Sequence, residues 1–154
     1  MITIGRATVE DVAGIELCLR SAFAPYRDRY TPGAYVDTVL TEQGIRHRLD
    51  TMIVLVAIAE SGLVVGTIGG NVHGDEGHLR GLAVSPDWQG KGVAQRLLES
   101  IESQLSAAGC HTVSLDTTTP LSRAIALYER NGYRASGVVT DFFGMPLHEY
   151  RKLI

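Results

Sequence analysis

The hydrophobic pattern of this chain switches between short β-branched runs and one-sided helical stripes. Residues 52–59 form an apolar run typical of a central strand, and residues 63–72 and 79–84 predict two further strands. From Val93 to Ala108, apolar residues recur at helical spacing with polar residues opposite, and Gly109 is placed to end this helix. The pattern predicts helices packed on a sheet.

The rest of the chain continues this alternation of helices and strands. A short strand at residues 2–4 precedes Thr8 and Asp11, a capping-box pair that predicts the start of a first helix. A second helix is predicted over residues 33–48. Beyond Gly109 the pattern predicts a strand at 112–116, a helix at 121–131 and a closing hairpin of strands at 133–139 and 147–153. The predicted order is β-α-α-β-β-β-α-β-α-β-β, an α/β fold with a mixed sheet.

Length and composition limit the classes of protein to which this chain can belong. A chain of 154 residues, 45% hydrophobic and 20% charged, suits one globular domain spanning residues 1–154. The net charge of −3 argues against nucleic acid as the main partner, since binding to a phosphate backbone requires a basic face. Two cysteines and no secretory signal predict a cytoplasmic protein, and the apolar run at 52–59 is too short to cross a membrane.

A glycine-bearing loop between a strand and a helix is the strongest candidate for chemistry. Gly90 and Gly92 remove side chains just before a helix N-terminus, whose free backbone N–H groups attract anions. The loop is not a nucleotide-triphosphate loop, because Gly92 rather than Ser or Thr follows Lys91. It is not the dinucleotide fingerprint either, because Gln95 occupies the third glycine position.

Two separate motifs occur in this chain, one at the glycine loop and one in the helix predicted at 121–131. Gln89, Gly92 and Ala94 match the pattern Q/R-x-x-G-x-G/A, and residues 124–133 match A-x-x-L-Y-E-x-x-G-F/Y. Together the two motifs resemble those of the GNAT family of N-acetyltransferases. The resemblance implies a GNAT-like acyl-CoA N-acyltransferase fold over the whole chain. It also implies an enzyme that uses acetyl-CoA as cosubstrate, without a metal, and transfers the acetyl group to a primary amine.

The resemblance also implies which residues hold acetyl-CoA. The edge of the strand at Leu82, Ala83 and Val84 would bind the pantetheine arm as an added strand. Family members often place an asparagine where this chain has Leu121, and Ser122 is the candidate replacement. The pyrophosphate would lie on the backbone of Gln89, Gly90, Lys91, Gly92, Val93 and Ala94.

Catalytic residues follow from the same resemblance. Tyr128 falls at the position of a general acid that protonates the departing thiolate. For the general base two candidates remain open: His78, and Glu76, which has the same side-chain parity on the strand. These two residues, with His73 and Asp75, could also be read as a metal cluster, but their glycine-punctuated setting is better explained as a solvated turn.

The acceptor is expected to be the amine of a small molecule or peptide. The rival hypothesis is a non-catalytic acyl-CoA-binding or regulatory module on the same fold. An exposed hairpin at Phe142 and Phe143 would suit a homodimer contact. Aromatic residues and carboxylates from the first third and the last hairpin are the candidates for the acceptor pocket: Tyr26, Tyr30, Tyr35, Asp28, Asp37, Glu42, Phe142 and Phe143.

Overall fold

The computed structural model describes all 154 residues, and seven strands form one mixed sheet in the order β1-β2-β3-β4-β5-β7-β6. All neighbouring strands are antiparallel except β4 and β5. The predicted α/β fold is confirmed. The strands are β1 (Ile2–Arg6), β2 (Ile53–Ala59), β3 (Val64–His73), β4 (Glu76–Val84), β5 (Thr112–Thr117), β6 (Arg134–Phe142) and β7 (Met145–Leu153). The helices are α1 (Val12–Phe23), α2 (Pro32–Thr38), α3 (Glu42–Thr51), α4 (Val93–Ala107) and α5 (Ser122–Arg130).

Two hydrophobic cores lie on opposite faces of the sheet. On one face, Leu97 and Ile101 of α4 are fully buried together with residues of α5 and the central strands. On the other face, α1 and α3 contribute Leu19 and Ile45 against Val56 of β2. This arrangement explains the continuous apolar run of β2, because both faces of that strand are covered. None of the five helices combines the length and hydrophobicity that a bilayer-spanning segment requires.

The single helix predicted over residues 33–48 is wrong, because the structure has α2 and α3 there. Val39 has φ −96° and ψ 87°, outside the helical region, and Thr41 is extended at the start of α3. The break lets Val39 and Leu40 pack against the core under α1, which one straight helix would not allow.

The centre of the sheet opens where β4 and β5 separate. These strands pair in parallel only over Glu76–Leu79 and Thr112–Leu115. Gly81 interrupts β4 with φ +69°, a left-handed value that favours glycine, close to where the pairing with β3 shifts register. Beyond Leu79 and Leu115 the strands diverge, and we call this gap the splay. The edge of β4 that faces the splay at residues 82–84 pairs with no strand.

Candidate functional site

A cleft of about 340 Å³ runs from the splay to the start of α4. It gathers residues from the end of β4, the glycine loop and the first turn of α4, with α5 as the opposite wall. Eight of the ten residues that the sequence predicted for the cosubstrate line this cleft: Leu82, Ala83, Val84, Gln89, Gly90, Gly92, Val93 and Ala94.

The floor of the cleft is a row of free backbone donors. Gly90 and Gly92 adopt φ values of +76° and +81°, which turn the chain sharply into the 15-residue helix α4. No hydrogen bond within the chain engages the backbone N–H groups from Gly90 to Gln95. A helix of this length adds a partial positive charge at the same end. Free N–H groups at a helix N-terminus can bind an anion such as a pyrophosphate.

The side chain of Gln89 holds the loop between β4 and α5. Its Nε2 donates to the carbonyl oxygen of Val84 at 3.0 Å, and its Oε1 accepts from Nη1 of Arg123 at 3.1 Å. These two bonds connect the end of the open strand to the wall across the cleft. Gln89 thus fixes the width of the cleft as well as the shape of the loop.

If this loop holds acetyl-CoA, as the family resemblance implies, we expect Gln89→Ala to raise the KM for acetyl-CoA about thirtyfold with little change in kcat, because the two lost bonds together are worth about 2 kcal/mol. Steady-state kinetics with varied acetyl-CoA tests this. Gln43→Ala, on the exposed surface of α3, is the matched control and should leave KM unchanged. A normal KM in Gln89→Ala would show that the bridge does not organise the loop.

Two arginines of α5 that the sequence reasoning missed also line the cleft. Arg123 and Arg130 lie about two helical turns apart, and Arg123 contacts the glycine loop through Gln89. Their spacing of seven residues places both arginines on the same side of α5 as its apolar residues, and this spacing could have indicated their position from the sequence. By contrast, Ser122 does not line the cleft, and neither does Lys91, whose Nζ lies 5.1 Å from the centre of the Trp88 ring. Both remain predictions as cosubstrate contacts, without support from the geometry.

A second cavity, of about 460 Å³, lies on the other side of the splay. It shares Phe23, Leu82, Leu121 and Ala124 with the first cleft, so the two meet at the open edge of β4. We call it the acceptor cavity. Among the residues predicted for an acceptor pocket, Tyr30, Asp37, Phe142 and Phe143 line it, Tyr26 lines the first cleft, and Tyr35, Asp28 and Glu42 line neither.

The tip of the β6–β7 hairpin closes one side of the acceptor cavity. The hydroxyl of Thr31 donates to the carbonyl oxygen of Phe143 at 2.7 Å. A Cβ at Gly33 would lie 2.6 Å from the Phe143 ring, so only glycine allows this contact with α2. The Phe143 side chain is still 56% exposed. The homodimer contact expected for this hairpin stays a prediction.

The phenol of Tyr128 lines the acceptor cavity and has no hydrogen-bond partner. Its ring packs edge-to-face on Tyr133 at 5.8 Å, and the residue is only 7% exposed. No side chain or backbone group hydrogen-bonds its hydroxyl, although the residue lines the cavity beside the splay. Burial raises the pKa of Tyr128 above its ordinary value, which keeps the phenol protonated. A protonated hydroxyl in this position can donate to a ligand.

His78 lies on β4 among polar groups of β5. Its Nδ1 is 2.8 Å from the hydroxyl of Ser114, and its Nε2 is 3.4 Å from Oδ2 of Asp116. Burial lowers the pKa of His78, an effect that the carboxylate of Asp116 opposes and the nearby Arg80 reinforces. The imidazole is therefore neutral at physiological pH and can accept a proton inside the acceptor cavity.

Glu76, the other base candidate, lies two residues before His78 and lines neither cavity. Its carboxylate is 2.9 Å from Nη1 of Arg151 on β7. The hydrogen bond from Arg151 holds the pKa of Glu76 below its usual range, which makes it a weaker base. Glu76 and His78 share the same side-chain parity on the strand, as expected. The separation of two residues nevertheless places the side chain of Glu76 about 7 Å from the position of His78. No group of three or more His, Cys, Asp or Glu side chains is arranged to hold a metal ion.

Comparisons with known proteins agree with this geometry. The model of the acetyltransferase (GNAT) family matches residues 17–133. The PaiA N-acetyltransferase of Thermoplasma acidophilum, solved with coenzyme A, superposes with a TM-score of 0.83 and 17% identity over 99% of each chain. A ribosomal-protein-alanine N-acetyltransferase from Brucella melitensis gives 0.78 and 20% identity, also over 99% of each. An IAA acetyltransferase from Bacillus cereus gives 0.73 and 16% over 100% of each.

Proposed function

Because the chain belongs to the acetyltransferase (GNAT) family and is therefore an N-acetyltransferase, we propose that it transfers the acetyl group of acetyl-CoA to a primary amine by direct attack in a ternary complex. The observation that carries the proposal is the meeting of two cavities at the splay, with the unpaired hydroxyl of Tyr128 beside it. One cavity suits a phosphate-bearing thioester, and the other suits a small amine. The acceptor can then reach the thioester without an acyl-enzyme.

The first cleft would hold acetyl-CoA. The free N–H groups from Gly90 to Gln95 would receive the pyrophosphate, with Arg123 and Arg130 adding positive charge. The unpaired edge of β4 at residues 82–84 would hydrogen-bond the pantetheine arm as an additional strand. The same edge offers backbone N–H donors to the thioester oxygen, where negative charge develops during attack.

His78 would take the proton of the incoming ammonium. In the tautomer that carries hydrogen on Nδ1, that N–H donates to Ser114 and leaves the lone pair of Nε2 beside Asp116. An ammonium bound there donates one N–H to Nε2 and another to the carboxylate. The lowered pKa of His78 keeps the imidazole neutral until it receives that proton.

The proposed reaction converts one ammonium and one thioester into an amide and a thiol, and releases one proton. The amine transfers one proton to His78, and its lone pair forms a C–N bond to the thioester carbon. The tetrahedral intermediate then collapses, the C–S bond breaks, and the thiolate takes the phenolic proton of Tyr128. The nitrogen of the new amide still carries one excess proton, which passes through solvent to the phenolate of Tyr128, and His78 releases its proton to solvent. The products are coenzyme A and an N-acetylated amine.

The test is coenzyme A release from acetyl-CoA in the presence of a panel of acceptors: amino acids, polyamines, aminoglycosides, other primary amines and N-terminal peptides. We expect one acceptor class to stimulate release and the acetylated product to appear in equal amount by mass spectrometry. A protein that binds acetyl-CoA but shows no stimulated release with any acceptor would instead be the non-catalytic acyl-CoA-binding module.

A further inference from the structure

Arg48 is a half-buried cation that lines the acceptor cavity and has no partner within the protein. No carboxylate of the chain lies within 4.0 Å of its guanidinium, and no hydrogen bond of the chain engages its side chain. The second arginine of the cavity differs, because Arg80 lies 3.6 Å from the carboxylate of Asp37. Asp37 also acts on Arg48 at longer range, but Arg48 is the arginine of the cavity that has no ion pair or hydrogen bond of its own.

The backbone of β4 makes room for this charge. Nη1 of Arg48 packs against Gly81 so closely that a Cβ at residue 81 would collide with it. The positive φ of Gly81 belongs to the same irregularity that opens the splay. Burial and the neighbouring Arg80 lower the pKa of Arg48 to about 10, so the guanidinium remains charged at neutral pH. The guanidinium of Arg48 thus lies against the backbone of Gly81 in the wall of the cavity.

A partly buried guanidinium without a counter-ion costs free energy of desolvation. An anionic ligand offsets that cost, and a carboxylate matches the planar donor fork of arginine with two parallel hydrogen bonds. Thr117, whose buried hydroxyl also has no hydrogen-bond partner, lines the same cavity and offers a further polar contact. With the hydroxyl of Tyr128, three polar groups of one cavity have no hydrogen-bond partner, which indicates that the occupant of the cavity is polar.

The part of the cavity near His78 contains a negative charge instead. There the carboxylate of Asp116 lies beside a neutral imidazole, which suits an ammonium group. Arg48 packs against Gly81, which lies three residues after His78 on β4. Three residues span about 10 Å along a strand. The cavity is therefore complementary to a molecule with an ammonium at one end and an anion at the other.

We propose that the acceptor is a primary amine that also carries a carboxylate, an amino acid in the broad sense, and that Arg48 binds this carboxylate. This inference rests on the proposed acetyltransferase function and names its acceptor class. The cavity volume of about 460 Å³ is in the range of small-molecule sites. Arg48 selects the acceptor and orients its amine toward the thioester without touching the reacting atoms.

The test compares each amino acid with its primary amide. Standard L-α-amino acids and longer ω-amino acids are assayed as acceptors beside the amides and the corresponding aminophosphonates. For the best acceptor we expect kcat/KM to be about twentyfold higher for the acid than for its amide, the size of one charged hydrogen-bonding contact. In Arg48→Gln this preference should fall close to one, mainly through KM, and Arg48→Lys should recover part of it.

Arg46→Gln is the matched control, because Arg46 lies on the same helix, pairs with Glu42 and faces solvent. It should keep the preference for acids. A binding measurement separates this proposal from the proposed function: thermal unfolding of protein saturated with coenzyme A is recorded with each acid and each amide. We expect stabilisation by acids alone and its loss in Arg48→Gln, whether or not acetyl transfer takes place.

Equal kcat/KM values for acids and amides in the unchanged protein would overturn the proposal, as would a preference for the aminophosphonates. So would a strong preference for N-terminal peptides that lack an acidic group near the amine. If no amine is acetylated but acids still stabilise the protein through Arg48, the proposed function fails while the carboxylate site stands. If acids are neither acetylated nor bound, the carboxylate site is wrong.

Discussion

Tyr128→Phe is expected to lower kcat about a hundredfold, the usual contribution of a positioned general acid, while acetyl-CoA binding is unchanged. The substitution removes only a hydroxyl that has no hydrogen-bond partner in the protein. The ring remains buried against Tyr133, so the fold and the cleft are retained. Turnover at saturating acetyl-CoA and the Kd for acetyl-CoA by titration calorimetry measure the two halves of this prediction.

Tyr133→Phe is the matched control for the loss of a buried phenol. The hydroxyl of Tyr133 donates to Glu102 at 2.7 Å and lines neither cavity. Its removal should lower the free energy of unfolding by about 1 kcal/mol and leave kcat close to normal. An unchanged kcat in Tyr128→Phe would remove the general-acid assignment and favour protonation of the thiolate by water.

His78→Ala is expected to lower kcat/KM about a hundredfold near neutral pH, because the ammonium then loses its proton acceptor. The pH profile provides the sharper test. Burial lowers the pKa of His78, so the base is neutral above that pKa and kcat/KM should fall only below about pH 6.5. This acidic limb should disappear in His78→Ala, and added imidazole should restore part of the rate.

His73→Ala provides the control, since His73 is exposed at the end of β3 and lines neither cavity. It should keep both the rate and the acidic limb. A limb that survives in His78→Ala would assign it to another group, and Glu76→Gln would then be examined. We expect no basic limb from Tyr128 in the ordinary range for tyrosine, because burial raises the pKa of that phenol.

The first cleft was largely predictable at the glycine loop because the residues of the loop are close in sequence. From Gln89 to Ala94, turn, glycines and helix start follow one another, and their geometry depends mostly on local backbone preferences. Tyr128 was predictable for a similar reason, since the motif around it and the apolar stripe of α5 place it on the buried face. Arg123 was missed because its role depends on which wall of the cleft α5 forms.

The acceptor cavity was not predictable to the same degree because it is assembled from distant parts of the chain. Asp116 reaches His78 only through the parallel pairing of β4 with β5, and Arg48 reaches the cavity only because the chain breaks between α2 and α3. Glu76 shares the parity of His78, yet a partner on β7 draws its carboxylate away from the cavity. Strand parity determines the face of a residue and not its distance from a site.

The sequence alone therefore determined the order of strands and helices except for the break between α2 and α3, together with the glycine loop and the phenol on α5, because hydrophobic periodicity, turn chemistry and helix N-termini act over a few residues. The tertiary structure decided which polar groups face each other across the splay and which of them remain unpaired. Those choices follow from the register of β4 against β5, the bulge at Gly81 and the packing of α3, all of which depend on contacts between segments far apart in the chain.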